Sequence, residues 1–257
     1  TALYDNYLAD LNADGAADDF GGGARLGYYF SITGGGIGKV VHTFEGDLAT
    51  VDVRTGATPL YLGHLGNTQF FGVDALAYSP AGDLFYYTSP YGLESQLTRA
   101  RVRFAADNQP LVETTVIDQS ELSGLWPSLV FRGDGKLFRA EHHSIVEVDP
   151  ANGDTTPVAE FADLSDWAIT ALTFDHNGAA YATLASMLGA APFRLIRIEA
   201  DFSAWSELDV LPYDDVASLA VIDGLLYGFR ETGHYFTFNL MTQQLVVQGE
   251  VSHAPVD

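Results

Sequence analysis

The stretch LVFRGDGKLFRA at residues 129–140, followed by IVEVDPANGDTTPVAEF at 145–161, decides the fold of this chain. Each half contains a short run of Val, Leu, Phe and other apolar residues, then a turn of Gly and Asp, then a second such run. Residues of these types favour strands and turns respectively. Because several runs alternate apolar and polar residues, the stretch predicts four consecutive antiparallel β-strands.

The first of these hairpins recurs along the chain. The matching segments are YYFSITGG (28–35), LAYSPAGDLFYY (76–87), LTFDHNGAAYAT (172–183) and LAVIDGLLYGF (219–229). Together with 129–140, their turn glycines are Gly34, Gly82, Gly135, Gly178 and Gly224. The interval is roughly 40–50 residues, which is the length of a repeat of four short strands. The second hairpin also recurs, as LATVDVRTGATPLYLG at residues 48–63.

Four strands per repeat of this length are typical of the blade of a β-propeller. A blade cannot bury both of its faces alone, so the repeats must pack against one another in a ring. We therefore expect an all-β fold, a five-bladed β-propeller of four-stranded antiparallel blades, as a single domain over residues 25–257. Residues 1–24 form a separate N-terminal segment. Six blades, or a β-sandwich, are the alternatives.

The stretches LATVDVRTGAT and IVEVDPANGDT carry a family resemblance. They resemble the repeats of secreted bacterial propeller proteins, which have the form L-x-x-hydrophobic-D-x-x-T-G-x-x-T. The resemblance implies propeller architecture over most of the chain and a secreted protein. It does not imply one activity, because such repeats occur in lectins, enzymes and scaffolds.

The composition excludes several classes of partner. The chain has 257 residues, with 34 acidic and 12 basic residues, a formal net charge of −22 and no cysteine. Such a charge repels nucleic acids and anionic membrane surfaces. Without thiols there is no disulfide framework, and no apolar run approaches the ~18–20 residues of a transmembrane helix. The start at Thr1 fits either a removed signal peptide or a trimmed sequence. The absence of cysteine, the acidic surface and the calcium-type loop described below together favour secretion, so we expect an extracellular or cell-surface location.

Residues 10–18, DLNADGAAD, have the spacing of a calcium-binding loop. The predicted ligands are the side chains of Asp10, Asn12, Asp14 and Asp18 and the carbonyl of Ala16, with Gly15 at the sharp turn. The loop resembles those of EF-hand, dockerin and integrin-type repeat proteins, but Gly21 replaces the EF-hand glutamate. The sequence therefore predicts one structural Ca²⁺ that pins the N-terminal segment. The alternative is a solvated linker rich in Asx turns.

A binding face is expected where the links between blades meet the loops between second and third strands. The candidate ligand-binding residues there are Asp74, Trp126, Asp166, Trp167, Asp214 and Asp215. Carboxylates beside aromatic platforms suit a glycan, and carboxylates alone suit a second metal ion. The alternative for the two tryptophans is packing between blades.

Two short motifs have ordinary explanations. Arg132-Gly133-Asp134 spells an integrin-binding tripeptide but occupies the repeated turn. Glu141-His142-His143 is dense in metal-ligand types, yet adjacent strand residues point to opposite faces, so His142 and His143 are expected to be exposed loop residues.

Three functions remain open on the sequence. The leading one is a secreted recognition or adhesion module that binds a glycan or a protein through one propeller face, with structural calcium. The second is a structural extracellular or surface component. The third is a calcium-dependent, lactonase- or lyase-like enzyme that uses carboxylates at the channel mouth. A non-enzymatic role is favoured, because the chain has no G-x-S-x-G elbow and no cysteine nucleophile.

Overall fold

The structure is a computed structural model in which the described strands form five four-stranded antiparallel sheets. It describes residues 29–32, 39–44, 47–52, 57–65, 75–79, 81–88, 95–104, 110–120, 128–188, 191–222, 224–230 and 234–250. The N-terminal segment 1–24, with the predicted calcium loop, lies outside these residues.

Each sheet is one blade and uses four strands that are consecutive in the chain. In blades one and two, the strands are β1 (Tyr29–Ile32), β2 (Lys39–Phe44), β3 (Asp47–Asp52), β4 (Ala57–His64), β5 (Ala75–Tyr78), β6 (Leu84–Thr88), β7 (Ser95–Phe104) and β8 (Pro110–Ser120). In blades three and four, they are β9 (Ser128–Phe131), β10 (Leu137–Glu141), β11 (Ser144–Val148), β12 (Thr155–Glu160), β13 (Trp167–Phe174), β14 (Ala180–Ser186), β15 (Arg194–Ile198) and β16 (Trp205–Val210). In blade five, they are β17 (Val216–Ile222), β18 (Leu225–Arg230), β19 (His234–Asn239) and β20 (Gln244–Glu250). A short 3-10 helix at Ala162–Leu164 lies in the link before blade four.

The blades close into a ring through their first strands. The contacts between first strands follow the order β1, β5, β9, β13 and β17, and β17 contacts β1. A ring of this kind is a propeller and not two facing layers, so the alternative of a β-sandwich does not apply. The prediction of an all-β propeller with four-stranded antiparallel blades is confirmed.

One type of turn closes the first hairpin in several blades, which explains the repeated glycine. In blades two, three and four the glycine N–H donates to the carbonyl three residues earlier, at 2.9–3.1 Å. The glycines at this place are Gly82, Gly135, Gly178 and, in blade five, Gly224, with φ between +77° and +92°. Because a Cβ is unfavourable in that region, glycine is the residue that the turn requires.

The core lies between neighbouring blades and not within them. The ring of Phe138 on β10 packs against Phe174 and Phe202 of blade four, with centroids 5.1 and 5.6 Å apart. The preceding residue, Leu137, packs in the cluster that contains Tyr87 and Leu97 of blade two. Because successive side chains on a strand point to opposite faces, each central strand contributes to two cores.

The order of the strands sorts the loops onto two faces. The face that carries the links between blades and the loops between second and third strands is called the linker face. The opposite face is called the turn face. The described parts of the linker face are residues 65, 142–143, 161–166, 187–188, 191–193 and 211–215. This is the face for which binding residues were predicted.

The close approach of two strands in blade five gives a test of this packing. A Cβ added to Gly228 in β18 would lie 2.1 Å from Cζ of Phe236 on β19, and the Phe236 ring is also stacked on Tyr213. We expect Gly228→Ala to lower the free energy of unfolding by about 1–3 kcal/mol, because the buried ring has little room to move. Chemical denaturation measures the effect.

The matched control is Gly133→Ala in the turn of blade three. No atom lies within 4 Å of the Cβ that this change adds. A loss of stability as large as that of Gly228→Ala would contradict the packing described for blade five.

Candidate functional site

Blade four presents a row of large side chains along its linker-face edge. Trp167 begins β13, Met187 follows β14, and Arg194 begins β15. Trp167 pairs with Ser186, and Arg194 pairs with Val210 at the end of β16. Because neighbouring strands lie about 4.8 Å apart, the row is about 15 Å long. We call Asp166, Trp167, Met187, Leu188, Arg194 and Val210 the blade-four edge.

Apolar side chains are concentrated at this edge. Leu188 is 78% exposed, Val210 50% and Met187 46%. These are three of the seven large apolar residues exposed in the described part of the chain. Exposed apolar residues scattered singly need no explanation, whereas a group of them beside charged residues is typical of an interaction site.

Trp167 is held from two sides. The guanidinium of Arg194 lies 4.2 Å from its ring centroid, and the ring is half-buried against the core between blades three and four. Nη1 of Arg194 donates to Oε2 of Glu207 at 3.0 Å, which fixes the cation in place. Trp167 therefore packs between blades three and four and also lies at the linker face.

Asp166 joins the same edge through its backbone. Its carbonyl accepts the N–H of Met187 at 2.9 Å, which ties the link before blade four to the end of β14. The residue itself is exposed. Asp166, Trp167 and Met187 are therefore brought together by the structure.

Asp214 and Asp215, the two acidic residues before blade five, lie in different environments. Asp215 accepts a hydrogen bond from Nε of Arg230 at 2.6 Å, and the guanidinium of Arg230 lies 4.6 Å from the ring centroid of Tyr213. Asp214 is exposed. The carboxylate of Asp215 therefore has a fixed cation as its partner, and Arg230 is shared between that carboxylate and an aromatic ring.

Among the described residues, no group of three or more His, Asp or Glu is arranged to hold a metal ion. Asp166, Asp214 and Asp215 thus do not form such a group there. The remaining predicted residues fall outside the described ranges: Asp74 and Trp126 at the linker face, and Asp10, Asn12, Asp14, Ala16 and Asp18 in the calcium-type loop.

A buried charge between blades two and three was not predicted from the sequence. Arg139 on β10 is 7% exposed. Its Nη1 donates to Oη of Tyr87 at 2.7 Å, and its Nη2 donates to the Glu141 carboxylate. Burial raises the pKa of the Tyr87 phenol, so this partner stays protonated and neutral. The signal in the sequence was a lone Arg, with Glu two residues later, in the otherwise apolar strand LFRAE.

The histidine pair acts through its backbone. His142, with φ +50°, and His143 form the turn between β10 and β11. The carbonyl of His142 accepts the N–H of Ile169 at 2.6 Å, and that of His143 accepts the N–H of Phe161 at 3.0 Å. The turn thus anchors blade three to the link and first strand of blade four.

The two charged residues of the tripeptide at 132–134 form an ion pair with each other within the turn. Nη2 of Arg132 donates to the Asp134 carboxylate at 2.6 Å, and this arginine holds the pKa of Asp134 below its usual value. The guanidinium also lies 4.8 Å from the Phe138 ring centroid. This geometry supports the interpretation of the tripeptide as part of the repeated hairpin.

The Arg139–Glu141 pair yields a prediction for stability. We expect Glu141→Gln to lower the free energy of unfolding by about 3 kcal/mol, because it leaves the Arg139 charge buried without its counter-ion. The double variant Arg139→Met/Glu141→Gln removes both charges and is expected to recover much of that loss. A double-mutant cycle from urea denaturation measures the coupling between the two side chains. Additive effects of the two single changes would contradict the pairing.

Comparison with known proteins supports the fold. No family model matches the chain, and no curated protein matches it. Among solved structures, the chain is similar to one in a nidogen/laminin complex, with a TM-score of 0.57 and 14% identity over 86% of this chain and 79% of that one. It is also similar to TolB from Acinetobacter baumannii, with a TM-score of 0.55 and 12% identity over 88% of this chain and 56% of TolB.

A third similar structure is a protein of unknown function from Bacteroides thetaiotaomicron, with a TM-score of 0.54 and 16% identity. The match covers 77% of this chain and 55% of that one. The chain thus spans little more than half the length of two of these three proteins. At identities this low, the similarity establishes the propeller fold alone. None of the helical structure in the described ranges has the length and hydropathy needed to cross a bilayer.

Proposed function

We propose that the protein is an extracellular or cell-surface recognition module that binds a protein partner through its linker face. The observation that carries this proposal is the blade-four edge, where Leu188, Met187 and Val210 are exposed beside Trp167 and Arg194. Aromatic residues, Met and Arg are enriched in protein interfaces, and Trp and Arg are common among the residues that dominate binding energy.

The rigidity of the edge supports a binding role. The N–H of Leu211 donates to the carbonyl of Phe193 at 2.8 Å, and the N–H of Phe193 donates to the carbonyl of Tyr213 at 3.1 Å. With the bond between Met187 and Asp166, these contacts fix the links on both sides of the edge. A surface that is already ordered loses less conformational entropy when a partner binds.

The surroundings of Trp167 favour a protein over a glycan. One face of its ring carries the Arg194 guanidinium, itself bonded to Glu207. A sugar that stacked on that face would have to displace a cation–π contact and an ion pair. Exposed aliphatic side chains such as Leu188 suit the apolar residues of a protein surface instead. One of the similar structures is that of a complex between two proteins, nidogen and laminin.

Selection of binders tests the use of the blade-four edge. We expect peptides selected from a displayed library against the native protein to lose binding at least about tenfold to Leu188→Glu, because the change puts a charge in the centre of the interface. The matched control is Met241→Glu on the turn face, where the side chain is 92% exposed. Binding is measured by biolayer interferometry.

Two results would contradict the proposal. One is a set of selected peptides that respond equally to both variants or only to Met241→Glu. The other is a strong signal on a glycan array that Leu188→Glu leaves unchanged, which would indicate a glycan-binding module acting elsewhere on the surface.

The proposal includes one structural calcium ion in the loop formed by residues 10–18. Its support is the ligand spacing together with the acidity of that segment in a chain of net charge −22. The ion would neutralise neighbouring carboxylates and restrain the N-terminal segment.

Calcium removal tests this part of the proposal. We expect EDTA to lower the Tm of the wild-type protein by several degrees, because an ion bound only to the folded state stabilises it. Asp14→Ala should show the lower Tm in calcium and no further effect of EDTA. Differential scanning calorimetry measures both, and an unchanged Tm in the two experiments would exclude a structural ion in this loop.

A further inference from the structure

The outermost strand of blade two differs from the other outermost strands. β8 has 11 residues, whereas β4 has 8, β12 and β16 have 6 each, and β20 has 7. Its partner β7 is almost as long, with 10 residues. Because it pairs with β7 on one side only, β8 presents a long row of backbone donors and acceptors at the rim of the propeller.

Two of the other outermost strands, β4 and β12, contain a proline, which disfavours pairing with another chain. Pro59 lies within β4 and Pro157 within β12, and each removes a backbone donor. In β8 the only proline, Pro110, is its first residue, so the ten residues that follow all keep their donors.

The side chains of β8 are exposed on both faces of the blade. Leu111 is 53% and Val116 49% exposed, and residues 113–115 between them are exposed as well. This part of the strand is regular, because the register with β7 shifts only beyond the pair formed by Thr98 and Val116. Residues 111 and 113–116 are therefore accessible along a part of the strand whose pairing with β7 is regular, and Val112 between them packs partly against the core.

The sequence of this edge is complementary to itself. If two copies pair antiparallel about a twofold axis at Thr114, Val112 of one copy lies opposite Val116 of the second copy, and Glu113 lies opposite Thr115. Each contact then occurs twice, as twofold symmetry requires. No two like charges are directly opposite in this register, and apolar residues meet apolar residues.

The charge around β8 suits the same arrangement. β7 carries Arg99, Arg101 and Arg103 at alternate positions, in a chain with only 12 basic residues. Arg101 and Arg103 pair with Asp83 and Glu113 of their own copy, at 2.7 and 3.3 Å. Arg99 pairs across the strands with Thr115, which would lie opposite Glu113 of the second copy. These arginines reduce, at this edge, the repulsion between two molecules of net charge −22.

We infer that β8 is a self-association edge, at which two copies of this chain form a symmetric dimer by antiparallel β8–β8 pairing centred on Thr114. The four-stranded sheets of blade two in the two copies then form one continuous sheet of eight strands, which satisfies the free backbone groups of both β8 edges.

A charge exchange at the twofold axis tests the dimer. Sedimentation velocity in about 0.15 M NaCl, where repulsion between distant charges is largely screened, gives the dissociation constant. Thr114→Lys and Thr114→Glu each place two like charges opposite each other, so we expect each to raise the constant at least about tenfold. An equimolar mixture of the two variants places Lys opposite Glu and is expected to restore the dimer.

Val246→Lys on β20 is the matched control, because Val246 is 47% exposed on the outermost strand of another blade. It should leave the dissociation constant unchanged, and circular dichroism and Tm should show that all variants are folded. A wild-type protein that is monomeric at every concentration would overturn the inference. So would a Thr114→Lys protein that dimerises like wild type, or a mixture that stays monomeric.

Discussion

The burial of side chains between neighbouring blades is the constraint on which the rest of this structure depends. A single strand such as β10 contributes Phe138 to the core on one side and Leu137 to the core on the other. A blade without neighbours would expose both faces, so each blade depends on its two neighbours for stability. The contact between β17 and β1 closes the ring, so the first and last blades also have neighbours on both sides.

The same constraint buries polar groups near the linker face, so these groups depend on partners from their own blade or a neighbouring one. Arg139 is buried between blades two and three with Tyr87 and Glu141 as partners, and its burial would be very costly without them. The backbone of His142 and His143 joins blades three and four by hydrogen bonds to Ile169 and Phe161. Such groups fix the relative position of neighbouring blades, and the linker face takes its geometry from them.

The fold could be predicted from the sequence because its signals are local and repeat. A glycine with positive φ lies at the same place in the first hairpins of blades two to five, at Gly82, Gly135, Gly178 and Gly224. The site was less predictable, because its geometry depends on contacts between residues far apart in the chain. Trp167 could be identified as a candidate. Its contact with Arg194, 27 positions later and two strands away, could not, because no repeating pattern in the sequence indicates it.

Charge distribution, more than net charge, decides what this surface can bind. A total of −22 disfavours polyanionic partners but says nothing about where two proteins can approach each other closely. Arginines lie near exposed apolar residues at two separate positions of the described chain. Arg194 contacts Trp167 at the blade-four edge, which also carries Leu188, and Arg103 of β7 pairs across the strands with Leu111 at the rim. Association through β8 would therefore leave the linker faces of both copies free. Two linked sites bind a partner with repeated epitopes far more tightly than one, because the second contact forms within the complex already made. On this view the rim supplies valency, and the linker face supplies specificity.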